Sequence, residues 1–168
     1  MHLTPRLIRR FALLAISGSL FAYMFTAVPA EAATTFRIHN VNASGKCIGI
    51  DASFNGGEWY CTNNADQTFH WAGASAASGF SLLENNNGWC LGTWRSDATF
   101  EGDRIIAKAC DSQNDISQGW KLVRAPTGYY IEDFDGLVIG VASGSTANGA
   151  ALVAWVPITH SDQYWALY

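Results

Sequence analysis

The sequence has no excess of positive charge: 10 Lys and Arg stand against 14 Asp and Glu in 168 residues, a net charge of −4. Nucleic acid and anionic lipid both require a basic surface, so neither is expected as a partner. No stretch sustains a 3.6-residue apolar period, which excludes a helical bundle. Catalytic signatures are also missing. No serine stands in a Gly-x-Ser-x-Gly elbow, and there is no His-Glu-x-x-His and no phosphate loop. Asp133 and Asp135 make a carboxylate pair, but they flank a turn and read as turn formers. No catalytic residue, and so no enzyme, is expected. There is no Cys-x-x-Cys, and His39, His70 and His160 are scattered, so neither a metal site nor another cofactor is expected.

One long apolar run is present, and it lies at the start. Arg6, Arg9 and Arg10 precede the uncharged stretch Phe11 to Val28, and Ala30-Glu31-Ala32 follows as a small-x-small cleavage site. Residues 1–32 therefore read as a secretory signal peptide. A retained anchor is the rival reading, but Gly18, Ser19 and Pro29 interrupt or end the run. The expected mature chain, 33–168, suits one extracellular domain without membrane attachment. It keeps 7 basic and 13 acidic residues and all 7 Trp, with more aromatic surface than a core of this size needs.

That remainder repeats itself. Gln67-Thr68-Phe69, Gln118-Gly119-Trp120 and Gln163-Tyr164-Trp165 set glutamines 51 and 45 residues apart, the period of a supersecondary unit copied in tandem. Cys47, Cys90 and Val138 lie early in the three units, and Cys61, Cys110 and Pro157 lie late. Gly45, Gly88 and Gly136 each stand two residues before the early position. Four cysteines in a secreted chain allow three pairings, and the repeat selects Cys47 with Cys61 and Cys90 with Cys110. The third unit has no disulfide and must hold by packing.

Each unit, at about 34–75, 79–124 and 126–168, reads as four short strands divided by turn residues. The first has strands near Phe36 to Val41, Cys47 to Ile50, Trp59 to Cys61 and Phe69 to Trp71, with turns at Ala43-Ser44-Gly45 and Asn55-Gly56-Gly57. The second runs Phe80 to Glu84, Trp89 to Thr93, Arg104 to Ala109 and Trp120 to Val123. The third runs Tyr129 to Glu132, Leu137 to Val141, Leu152 to Val156 and Trp165 to Tyr168. Units of this size cannot bury an apolar face alone, but three around an axis close into a barrel. The expected fold is all-β, a β-trefoil of three four-stranded repeats with pseudo-threefold symmetry. Phe69, Trp120 and Trp165 read as core. Gln67, Gln118 and Gln163 are expected to hydrogen-bond the turn leading into the fourth strand.

With these marks in phase, the chain resembles the ricin B-type lectin family. The resemblance covers essentially all of 33–168 and implies a carbohydrate or glycoconjugate as partner, bound by a non-catalytic, monomeric module. It places the stacking aromatic two residues before the late cysteine, at Trp59, Lys108 and Trp155, and a polar contact at Asp66, Ser117 and Asp162. The first and third units thus keep both halves of a site. In galactose-binding members an Asp stands two residues after the early cysteine, whereas here that place is Gly49, Gly92 and Gly140. Either polar groups from elsewhere serve another ligand, or the pockets are silent and the glycines relieve the backbone.

Asp51 lies on the same strand face as Gly49 and is a candidate replacement. Asn148 and His160 are candidates at the third unit's rim. Trp89 and Trp94 bracket the middle unit's second strand; an exposed Trp94 would offer a second platform, whereas packing against Cys90 is the simpler account. The rival function is a protein-interaction or protease-inhibitor β-trefoil with no sugar site, acting through the long loop Trp94 to Asp103.

Overall fold

The computed structural model describes residues 34–168, so the expected signal peptide lies outside the described residues. Twelve strands run through them with no α-helix, only single 3-10 turns. In the first unit β1 is Ile38–Asn40, β2 Lys46–Ile50, β3 Gly56–Tyr60 and β4 Phe69–Ala74. The second contributes β5 Ser81–Asn85, β6 Trp89–Thr93, β7 Ile105–Ala109 and β8 Gly119–Arg124. In the third, β9 is Tyr129–Asp133, β10 Val138–Val141, β11 Ala150–Trp155 and β12 Trp165–Leu167. No helix among the described residues is long and apolar enough to cross a membrane.

First and fourth strands form the barrel. Between units β4 pairs β5, β8 pairs β9 and β12 pairs β1. Within units β5 pairs β8 and β9 pairs β12, and the ring closes through the single bridge Phe36↔Phe69. Second and third strands form three hairpins, whose third strands meet in a triangle through Asn55↔Ile106, Arg104↔Val153 and Ala150↔Glu58. Closure leaves few unpaired edges. The fold is a β-trefoil.

The core is threefold in its residues. Ile38, Leu83 and Ile131 come from the first strands, Ile48, Leu91 and Ile139 from the second, and Phe69, Trp120 and Trp165 from the fourth. All nine are essentially without exposure, and burial of such side chains stabilises by about 1.5–3 kcal/mol apiece. Trp120 Nε1 donates to the Leu91 carbonyl and Trp165 Nε1 to that of Ile139, both at 2.8 Å. These bonds satisfy the one polar atom that each indole carries into the core.

Each repeat glutamine makes the same pair of bonds. Gln67 Oε1 accepts from the Thr62 N–H and its Nε2 donates to the Tyr60 carbonyl; Gln118 does so with Asp111 and Ala109, and Gln163 with Ile158 and Val156. The amide thus staples the start of the connection between third and fourth strands, around Cys61, Cys110 or Pro157. Disulfides join Cys47 to Cys61 and Cys90 to Cys110. They fit a chain that folds in an oxidising environment.

One expected turn is absent. Gly56 and Gly57 are not a turn but the first residues of β3, and the reversal lies at 51–54, with Phe54 at φ 63°. An ideal Cβ on Gly56 would stand 2.9 Å from the Ile105 carbonyl oxygen, and one on Gly57 2.9 Å from Trp59 Nε1. These glycines serve close approach between strands rather than chain reversal.

Candidate functional site

The connection between third and fourth strands ends in a 3-10 turn in every unit, at Ala65–Gln67, Ile116–Gln118 and Ser161–Gln163. The middle residue of each turn faces the second strand at Gly49, Gly92 or Gly140, and close packing explains the glycines. An ideal Cβ would lie 3.0 Å from the repeat glutamine's Cγ in all three units. On Gly49 and Gly140 it would also lie 3.4 and 3.6 Å from Oδ2 of Asp66 and Asp162. In the first and third units a carboxylate from the neighbouring turn thus lies beside the second-strand glycine.

In the first unit, Trp59 lies half-buried over glycine: its ring is within 3.1 Å of an ideal Cβ on Gly149 and 2.9 Å of one on Gly49. Trp59, Tyr60 and Asp66 line a concavity of about 350 Å³ with Asp51, Thr62 and Asn148. No described residue donates a hydrogen bond to the Asp66 carboxylate. Asp51 lines this concavity too, but its oxygens are engaged. Oδ1 accepts from the N–H groups of Ser53 and Asn55, and the Asn55 amide reaches both oxygens. These bonds, with Arg104 nearby, outweigh desolvation and hold its pKa below the usual value. Asp51 is an anchor of the turn.

Asn148, expected at the third unit's rim, belongs to the first unit's pocket. Its Oδ1 accepts from the Tyr60 N–H at 2.8 Å and from Lys46 Nζ at 3.2 Å. The cause is the β3–β11 pairing, which brings the start of the third unit's strand beside Trp59.

The third unit holds a larger cavity of about 550 Å³, lined among others by Gly102, Ser143, Trp155, His160 and Asp162. Trp155 is 40 % exposed. Ser143 and Gly144 both adopt left-handed backbone, φ 58° and 60°, and wrap the turn past the Asp162 carboxylate, which also receives no hydrogen bond from a described residue. Gly102 is the middle unit's contribution: its N–H donates to the Ala154 carbonyl, and the Ala154 N–H donates to Asp103.

In the middle unit the corresponding space is filled. Lys108, where the other units have Trp, sends Nζ to the carbonyls of Thr93 and Arg95 at 2.9 and 3.0 Å and to Ser117 Oγ at 3.2 Å. It also forms an ion pair with Asp115, which is buried and accepts from Ser117 and Gln118. Lys108, Ser117 and Asp115 thus all have partners within the chain.

Trp94 departs from expectation. It is 58 % exposed rather than packed on Cys90, and its Nε1 donates to Asp103 at 2.9 Å. Arg95 lies over the rings of Trp94 and Phe100, and Asp103 also accepts from the Phe100 N–H. Sequence reading also missed Glu58, which is wholly buried with neither oxygen partnered.

Concave, part-apolar pockets with an indole and an unengaged carboxylate are thus carried on a β-trefoil, and the fold defines the class of protein. Solved structures agree on the fold. The designed threefold-symmetric protein ThreeFoil matches with a TM-score of 0.69 at 19% identity, over 79% of this chain and 96% of that one. The Rhizoctonia solani agglutinin matches at 0.66 and 16%, covering 84% and 98%. A Macrolepiota procera ricin B-like lectin, solved in complex with lactose, matches at 0.64 and 19%, covering 83% and 98%. At these identities the likeness is one of fold. No protein-family model and no curated protein sequence matches the chain.

Proposed function

We propose that the chain is a secreted, non-catalytic and monomeric carbohydrate-binding module, with sugar sites in its first and third units. The observation that carries this reading is the pairing of Trp59 with Asp66 and of Trp155 with Asp162, each in a concavity and each with a carboxylate that no described residue occupies. An indole offers an apolar face to a pyranose, and a carboxylate accepts from its hydroxyls. The lactose complex of a fold neighbour supports the same ligand class. Two shallow sites on one rigid domain act together through effective concentration on a multivalent glycan.

A glycan array followed by calorimetry tests it. Wild type is expected to bind, each of Trp59→Ala and Trp155→Ala to lose one site, and the double variant to lose at least tenfold in affinity. Absence of any bound glycan, or a double variant that binds like wild type, overturns the proposal.

The exposed Trp94 and Phe100, stiffened through Asp103, favour a second reading as a protein-contacting loop. Inhibition of a secreted protease by micromolar wild type, lost in Trp94→Ala, would support it. The backbone bonds of Gly102 and Asp103 to Ala154 favour the first reading, because they make the loop's end a wall of the third pocket.

A further inference from the structure

The first unit's pocket does not end at Asp66. Beyond that carboxylate a second concavity of about 340 Å³ opens, and Ile50, Asp51 and Asp66 line both. Its far wall is built by Phe54 from the β2–β3 turn and by Asn85, Asn87 and Trp89 from the middle unit.

This wall is preformed. Phe54 is 44 % exposed, yet it is held in the left-handed region, where a non-glycine residue is strained. Its carbonyl accepts from the Ala107 N–H at 2.8 Å, and Asn55 bridges Ile106, so the turn is fixed to β7. The Phe54 ring meets that of Trp89 edge-on, with centroids 4.7 Å apart.

A buried donor in the same wall lacks a partner. Asn85 is 1 % exposed; its Oδ1 accepts from the Asn87 and Trp89 N–H groups, but its Nδ2 donates to no described residue. The rotationally equivalent Asn40 gives its Nδ2 to the Asp162 carbonyl at 3.3 Å. A buried N–H left without a bond is costly, which sets this wall apart from the equivalent place at Asn40.

We propose that the two concavities are adjoining subsites of one groove that takes two successive residues of an uncharged oligosaccharide, the first at Trp59 and the second at Phe54 and Trp89. The inference rests on the carbohydrate reading above. Asp66 stands between the subsites and serves hydroxyls of both sugars.

The test is calorimetry on the Trp155→Ala variant, in which the third unit's pocket is disabled. The probes are glucose with cellobiose, xylose with xylobiose, galactose with lactose, and N-acetylglucosamine with chitobiose. For the pair that binds, the disaccharide is expected to bind about tenfold tighter than its monosaccharide, the gain of one further aromatic platform. Adding Trp89→Ala or Phe54→Gly is expected to bring the disaccharide down to the monosaccharide's level, and Trp89→Phe to restore most of the difference. Phe54→Gly relieves backbone strain, so it decides the matter if Trp89→Ala fails to fold. Equal affinity for both members of the binding pair, or a gain that survives both variants, overturns the groove while leaving the sugar site. Failure of wild type to bind any probe or any arrayed glycan overturns both.

Discussion

The middle unit and its two neighbours share a backbone, a stapling glutamine and a glycine beneath it, yet only the middle one is closed. Three positions make the difference. Trp59, Lys108 and Trp155 occupy one, Asp66, Ser117 and Asp162 the next, and Asn64, Asp115 and His160 the third. In the middle unit these side chains satisfy one another as Lys108, Ser117 and Asp115. In the others they leave an indole and a carboxylate facing open space. The scaffold is thus set by residues that bond within every unit, and whether a pocket is open or filled by three that are free to differ.

The strongest way to break this contrast is to remove the ammonium. Lys108→Ala leaves Asp115 buried without its counter-charge, and a loss of about 2–3 kcal/mol is expected in urea denaturation. Adding Asp115→Asn should recover about half, because the orphaned charge is then gone. Trp155→Ala, at an exposed position, should lose less than Lys108→Ala. A Lys108→Ala effect within about 0.5 kcal/mol of zero would make it an ordinary surface lysine.

A second asymmetry separates the first unit from both others. Glu58 falls where the middle and third units have Ala107 and Ala154, all three buried. Burial pushes its carboxyl up to about 7, with Lys46 opposing the shift and Asp162 adding to it. In the unfolded chain the group titrates near 4.5, so between about 4.5 and 7 the folded state holds more protons. Stability should therefore fall as pH rises through that window and level off above it. Glu58→Gln should flatten the part of this slope between about pH 6 and 7, above the range of Asp133, and be more stable above pH 7 by roughly 1–3 kcal/mol, read from denaturation midpoints across pH. A variant that keeps the slope would assign it to another group.

How much of this was legible in the sequence follows from where each contact runs. The glutamine staples, the disulfides and the aromatic core residues bond within a unit, so they recur at the repeat's period and can be read from spacing alone. Gly56 and Asn148 serve contacts between hairpins of different units, which spacing does not carry. Gly56 therefore reads as a turn residue, and Asn148 as part of the wrong site. Lys108 was visible as a departure, but its closure by Asp115 was not, because that ion pair occurs in one unit only and leaves no mark at the repeat's period. Glu58 had a usable signal, since aligning the units sets a glutamate against two alanines.

The smallest effect concerns three residues that the rotation makes equivalent: Asn40, Asn85 and Asp133. Each ends a first strand, and each Oδ1 accepts from backbone N–H groups of the turn that follows. Asn40 holds Asn42, Asn85 holds Asn87 and Trp89, and Asp133 holds Asp135 and Leu137. The geometry needs one oxygen, and an amide supplies it. Asp133 carries a second oxygen, buried without a well-formed hydrogen bond, and burial, with the Asp135 charge adding to it, pushes its carboxyl up to about 6 despite those bonds and the nearby Thr99. The charged form is thus disfavoured in the fold, and the associated loss grows as pH rises from about 3.8 to 6 and is constant above. Asp133→Asn keeps the accepting oxygen and removes the charge, which makes the third unit like its neighbours. It should gain about 1–2 kcal/mol above pH 6 and nothing below pH 3.8. A variant less stable than wild type at pH 7 would mean that the carboxylate holds this turn in a way the two asparagines do not.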